Sequence, residues 1–240
     1  MTSIALCFYG QPRFINNPEI ANSYHKQFFS NPNYQIDCYG HLWYSNDAVY
    51  ESTSWVKEMP KYGASTGTLE TLYSNYNFKR LIVEEPKQFR FSNDAMRKEY
   101  LDICENTPIP LTEVRENNTL SHLYSKSQSL RMVPDDYDFY VSCRYDTVIT
   151  DVPDLNQIAN DMMILPNIHP NFCDPIMIFG KNFLTWGRNL YNITQSKVFR
   201  QAKDHGFFPE VFKMYSYYDM GFSKEQIVYS NMFGHIQRSE

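Results

Sequence analysis

The chain has 240 residues, 42% of them hydrophobic, with 22 Lys plus Arg against 27 Asp plus Glu and a formal net charge of −5. That length supports a single domain with a core large enough for a central sheet, and the acidic balance without a basic block argues against nucleic acid as a partner. No stretch approaches the roughly 20 apolar residues of a membrane span, so no transmembrane segment is expected.

Residues 3–10, SIALCFYG, form an apolar run closed by Gly10 and read as a first strand. NPEIANSYHKQFF carries a proline near its start and reads as a helix. YQIDCYGHLWY is the second strand, and FKRLIVEE, stopped by Pro86, the third. The polar region between them is rich in Tyr, Ser and Gly and predicts one helix, over residues 68–76. SNDAMRKEYLDICEN reads as a helix capped at Ser92 or Asn93. TLSHLYSKSQSLRMV sets Leu120, Leu123, Tyr124 and Leu130 at helical spacing and should pack on the sheet. YDFYVSCRYDTVIT, residues 137–150, is the fourth strand, with Asp135, Asp136 and Asp138 in a solvated turn at its start. DMMILP and DPIMIFG are later strands, and the tail from Lys181 is mostly helical. Strands alternating with helices predict an α/β fold, a mostly parallel central sheet with helices on both faces.

Ligands of such sheets bind outside the carboxyl ends of the strands. Those ends read YGQPR, GHLW, EEP and CRYDT, so Arg13, His41 and Asp146 converge where a site is expected. Arg13 can grip a phosphate, His41 can donate a hydrogen bond, and Asp146 can take a cation. Glycine-rich P-loop and dinucleotide fingerprints are missing, as are a Gly-x-Ser-x-Gly elbow and a His-Glu-x-x-His pair. The five cysteines, Cys7, Cys38, Cys104, Cys143 and Cys173, are odd in number and scattered. They suggest a reducing, cytoplasmic setting rather than a disulfide framework. The start, MTSIALCFYG, has no basic region and too short an apolar run for a signal peptide, which leaves the sequons at Asn117 and Asn192 without weight.

Several of these segments, taken in order, resemble small nucleotide-sugar glycosyltransferases of the GT-A type found in polysaccharide biosynthesis. IALCFYGQPR resembles their first strand leading to Gly-x-x-Arg, and IDCYGHLWY resembles an Asp-x-Phe-x-His-x-Trp strand through Asp37, His41 and Trp43. LIVEEPKQF, LYSKSQSL and NFCDPIMIFGKNFL resemble later segments of the same family, and YDFYVSCRYDTVI resembles the segment whose last Asp plays the Asp-x-Asp role. The matches run over residues 3–185. The chain departs from the family in reading Arg144-Tyr145-Asp146 where two carboxylates are usual.

The resemblance implies one GT-A-like, Rossmann-like domain over residues 1–240. Its nucleotide-binding half would span about 1–150 and its acceptor half about 151–240. The implied activity is transfer of a sugar from a nucleoside-diphosphate sugar donor to a glycan or small hydroxyl acceptor. The implied substrate-binding residues are Gly10, Arg13, His41, Ser125 and Arg144. Asp146 would hold Mn²⁺ or Mg²⁺, since such ions are held by one or two carboxylates plus the phosphates themselves. His169 and His235 would be further ligands by analogy. Asp174 would be the catalytic base toward the acceptor hydroxyl, or a turn former before Pro175. Arg144 and Asp146 would sit together at the diphosphate, or pair with each other. A non-catalytic sugar-nucleotide binder and an interaction protein are the alternatives.

Overall fold

A computed structural model describes residues 1–47, 49–51, 61–63, 67–167, 172 and 175–236, with the side chains of 49–51, 61–63, 235 and 236 excepted. In chain order the elements are β1 (Thr2–Gly10), α1 (Pro18–Tyr24), β2 (Tyr34–Trp43), β3 (Val49–Glu51), β4 (Lys61–Gly63), α2 (Thr68–Tyr76), β5 (Arg80–Glu84), α3 (Asp94–Cys104) and α4 (Glu113–Arg131). There follow β6 (Phe139–Arg144), β7 (Thr147–Thr150), β8 (Met163–Pro166), β9 (Ile176–Gly180), α5 (Leu184–Ser196), α6 (Ala202–His205), α7 (Pro209–Asp219), β10 (Ile227–Ser230) and β11 (Phe233–Ile236).

The main sheet has the order β10-β8-β9-β6-β1-β2-β5. Every neighbouring pair is parallel except those that β9 makes with β6 and β8, so β9 alone runs against the other six. The mostly parallel α/β sheet expected from the sequence is present, with helices on both faces. On one face α3, α4, α5 and α7 pack over Ala5, Cys7, Tyr39, Tyr140 and Phe179; on the other α1 and α2 pack over Ile4, Leu6, Phe8, Cys38 and Val141. Both faces of β1 are therefore dry, which accounts for its unbroken apolar run.

Local chemistry sets the helix starts. Asn17 accepts from the Glu19 amide at 2.9 Å with Pro18 at the first helical position, and α1 continues into a π-helical turn over His25–Phe29. Asn93 caps α3 by accepting from Ala95 and Met96. The α4 helix begins several residues before the expected Thr119, because the Thr112 hydroxyl accepts from the Arg115 amide and starts the helix on a polar turn.

The stretch expected as one fourth strand is two. β6 ends at Arg144, Tyr145 and Asp146 make a tight turn, and β7 leaves the main sheet to pair antiparallel with β11. The turn is anchored from inside. The fully buried Tyr145 ring stacks on Phe8 at 5.5 Å, and Gly40 on β2 leaves the room it needs, since a Cβ there would stand 2.4 Å from Tyr145 Oη. The expected helical tail also carries β10 and β11, and β10 forms an edge of the main sheet. Among the described residues, no helix is long and apolar enough to cross a membrane.

Candidate functional site

The carboxyl ends of β1, β2, β5 and β6 lie side by side, and the residues singled out in the sequence gather there. Register pairs Tyr9 with His41 on one side and with Arg144 on the other, so β1 stands between the two clusters described next.

The first cluster is built on Asp146. Arg144 grips it with a fork, Nε to Oδ1 and Nη2 to Oδ2, both at 2.8 Å. Arg13, on the loop after β1, reaches Oδ2 with Nη2 at 2.6 Å. Asp146 is 1% exposed, Arg13 8% and Arg144 17%, so Arg144 is the member most open to solvent. Burial alone would raise the Asp146 pKa, but the charges and hydrogen bonds of Arg144 and Arg13 outweigh it and hold the carboxyl below its ordinary value. The pairing of Arg144 with Asp146, one of the two arrangements read from the sequence, is present, and Arg13 joins it.

Gly10 shapes the loop that carries Arg13. It has φ +105°, a backbone conformation natural to glycine, and a Cβ built there would meet nothing within 4 Å. Phe14, at φ 55°, takes the second left-handed step of the loop. The Cβ side of Gly10 thus has room around it.

The second cluster holds Gly10 from the α4 side. The Gly10 amide donates to Ser125 Oγ at 2.8 Å, and Ser125 Oγ lies 2.8 Å from His41 Nδ1. Both side chains are fully buried. His41 Nε2 makes no hydrogen bond but stands 3.3 Å from Glu84 Oε1 at the end of β5. Burial lowers the His41 pKa below its ordinary value, and Glu84 offsets this only in part. Glu84 in turn accepts from Tyr124 at 3.1 Å and Lys87 at 2.7 Å, and Lys87 Nζ sits 4.4 Å above the Tyr124 ring. Burial would raise the Glu84 pKa, but these hydrogen bonds and His41 keep it low. Trp43 stacks on Tyr124 at 5.6 Å, so it packs in this wall as a core residue does.

Of the residues expected to bind substrate, Gly10, Arg13, His41, Ser125 and Arg144 all lie at this edge. His41 and Ser125 stand inside it as supports of the Gly10 turn rather than at its surface. Asp37, quoted in the same strand motif, is instead tied to Lys79 and to the Tyr137 hydroxyl, both at 2.6 Å. Asp174 and His169 lie outside the described residues, as does the side chain of His235. Glu84 as the partner of His41, and Lys87 as the partner of Glu84, were not among the expected site residues; the acidic end of LIVEEP was the available signal.

Among the described residues, no group of three His, Cys, Asp or Glu side chains is placed to hold a metal ion. The donor set at Asp146 does not fit one either. Oδ2 already accepts two guanidinium hydrogens and Oδ1 a third, and a cation would have to displace them.

No protein-family model matches the chain, and no curated protein matches it. Among solved structures, the galactosyltransferase LgtC in complex with donor and acceptor sugar analogs is similar with a TM-score of 0.45 at 12% identity, over 95% of this chain and 73% of that one. An active-site mutant of LgtC gives 0.44 at 10% identity, over 95% and 72%. Mouse xyloside xylosyltransferase 1, in its apo form, gives 0.43 at 7%, over 95% and 84%. The proteins whose structures these are carry the names of glycosyltransferases.

Proposed function

We propose that this chain is a glycosyltransferase, moving a sugar from a nucleoside-diphosphate sugar to a hydroxyl of a glycan or small acceptor. One observation carries the reading: two guanidinium groups, Arg13 and Arg144, meet on Asp146 at the carboxyl ends of β1 and β6. That is where a parallel sheet binds its ligand, and guanidinium forks suit phosphate oxygens.

In the transfer, the bond from the anomeric carbon to the diphosphate oxygen breaks, and its electron pair leaves with the nucleoside diphosphate. The acceptor oxygen bonds to that carbon, and its proton passes to a base. Positive groups already held in place stabilise the charge as it develops on the leaving phosphate. Arg144, the more exposed of the pair, would meet the phosphate first, with Arg13 behind it. The Ser125–His41–Glu84 chain would keep the Gly10 turn in shape. Asp174 is the proposed base, on the sequence resemblance alone. A reducing, cytoplasmic setting belongs to the same proposal and is supported by four buried free thiols, Cys7, Cys38, Cys104 and Cys143.

The test is a panel of nucleoside-diphosphate sugars followed by chromatography for released nucleoside diphosphate, with a thermal melt on each. Release of one nucleoside diphosphate, together with a raised melting temperature, is expected. Stabilisation without release marks a non-catalytic binder. Neither effect with any donor removes the reading.

A further inference from the structure

We infer that this chain neutralises a bound diphosphate with its two arginines and without a divalent cation, Asp146 serving as the clamp that orients both. The inference deepens the proposed function and takes the identity of the ligand from it.

The carboxylate geometry carries the argument. A cation of the Mg²⁺ type binds a carboxylate oxygen at about 2.0–2.1 Å and draws on the lone pairs that face it. Asp146 Oδ2 has given its lone pairs to Arg13 Nη2 at 2.6 Å and Arg144 Nη2 at 2.8 Å, and Oδ1 receives Arg144 Nε at 2.8 Å. The three side chains together carry one net positive charge. A dication brought to Asp146 would have to displace guanidinium hydrogens from both carboxylate oxygens before it could coordinate either.

The arrangement also fits what a phosphate needs. Arg144 is the more exposed of the two arginines, and Arg13 is held more deeply on the loop that Gly10 shapes. A guanidinium gives two parallel hydrogen bonds in a fixed plane, which a point charge does not. Asp146 fixes both planes from within the protein, so it acts as a positioning residue that need not touch the ligand.

The experiment is isothermal titration of the full chain with inorganic pyrophosphate and with uridine and guanosine diphosphates, each in EDTA and in Mn²⁺. Binding of pyrophosphate and of one nucleoside diphosphate in EDTA, within about threefold of the affinity in Mn²⁺, is expected. Arg144→Lys and Arg13→Lys keep the charge and lose the fork; each should weaken binding in EDTA by about tenfold or more, with melting curves confirming that the variants fold. Binding that requires Mn²⁺ overturns the inference and leaves the proposed function standing. Cation-free binding of pyrophosphate with no preference for either nucleoside diphosphate supports the arginine site and counts against the nucleotide reading. No binding in either buffer overturns both. Should a lysine variant fail to fold, the comparison of EDTA with Mn²⁺ on the parent chain decides alone.

Discussion

Arg13 Nη2 closes to 2.6 Å on Asp146 Oδ2, tying the loop after β1 to the turn after β6. Asp146→Asn keeps the shape and removes the charge that the buried Arg13 and the half-buried Arg144 face. Loss of one partner from a buried pair costs about 3–5 kcal/mol, and urea unfolding should show a loss of that size. A loss below about 1 kcal/mol, the level of an exposed pair, would mean that the cluster is solvated. The pH dependence has a definite sign. The Asp146 pKa is depressed in the folded chain, so its contribution is present above the unfolded value of 3.8 and disappears as pH falls through the lower folded value. The variant should lose that part of the acid sensitivity.

His41 gives a second dependence at milder pH. Its folded pKa is below the ordinary 6.5, because burial disfavours the charged ring. The unfolded chain therefore takes up a proton first, and stability present above pH 6.5 declines as pH drops toward the folded value. The melting temperature of the parent should fall between pH 7.5 and 5.5. His41→Asn, which keeps an acceptor for Ser125 and does not titrate, should flatten that slope. An unchanged slope would assign the effect to another group.

Gly40 and Tyr145 are coupled by space. A Cβ on Gly40 would stand 2.4 Å from Tyr145 Oη and 2.8 Å from a Leu81 methyl, so Gly40→Ala should cost about 1–3 kcal/mol by overpacking. Tyr145 Oη is buried without a hydrogen bond, so Tyr145→Phe alone should be close to neutral. The double variant should recover part of the loss, and a double-mutant cycle by chemical denaturation measures it. Strict additivity would place the strain on Leu81 and Phe78 instead.

Gly10→Ala separates conformation from contact. At φ +105° with nothing within 4 Å of the new methyl, the cost should be conformational only, about 1 kcal/mol or somewhat more. A much larger loss in thermal or urea unfolding would mean that the turn is crowded.

A single folding unit over residues 1–240 remains a proposal, with a clear expectation for limited proteolysis. β1 is flanked by β6 and β2, and a fragment ending near residue 115 would lack β6, β8, β9 and β10 of the same sheet. No stable fragment of that kind should accumulate. One that did would divide the chain.

Much of this fold could be read because each central strand is an apolar run with a visible stop: Gly10 at the end of β1, Pro86 beyond β5, Arg144 at the end of β6. β10 was hidden because it is four partly exposed residues whose extended form comes from pairing with β8, a partner more than sixty positions away. The true start of α4 was hidden because Thr112 opens onto a polar turn with no apolar period. That the candidate residues share one edge of the sheet was legible as a set of strand ends. Their wiring was not. Nothing in CRYDT says that Asp146 accepts from Arg13, and nothing in LYSKSQSL says that Ser125 accepts the Gly10 amide; both depend on which loops fold over which strand.

β1 is dry on both sides, so alternation of wet and dry residues cannot set its alignment with β2 and β6. Bulk does that instead. Ala5 and Cys7 face the helix side where α4 comes close, and Ile4, Leu6 and Phe8 fill the opposite layer. A slip of one position would drive a phenylalanine ring under α4 and leave a void beneath α1, at no change in hydropathy. Side-chain size thus joins the polar ties at the strand's two ends, Ser3 to Asp138 and Gly10 to Ser125, in holding the strand that carries the loop of Arg13, and an exchange of small for large aliphatic residues at Ala5 or Cys7 would misplace the arginines from a distance.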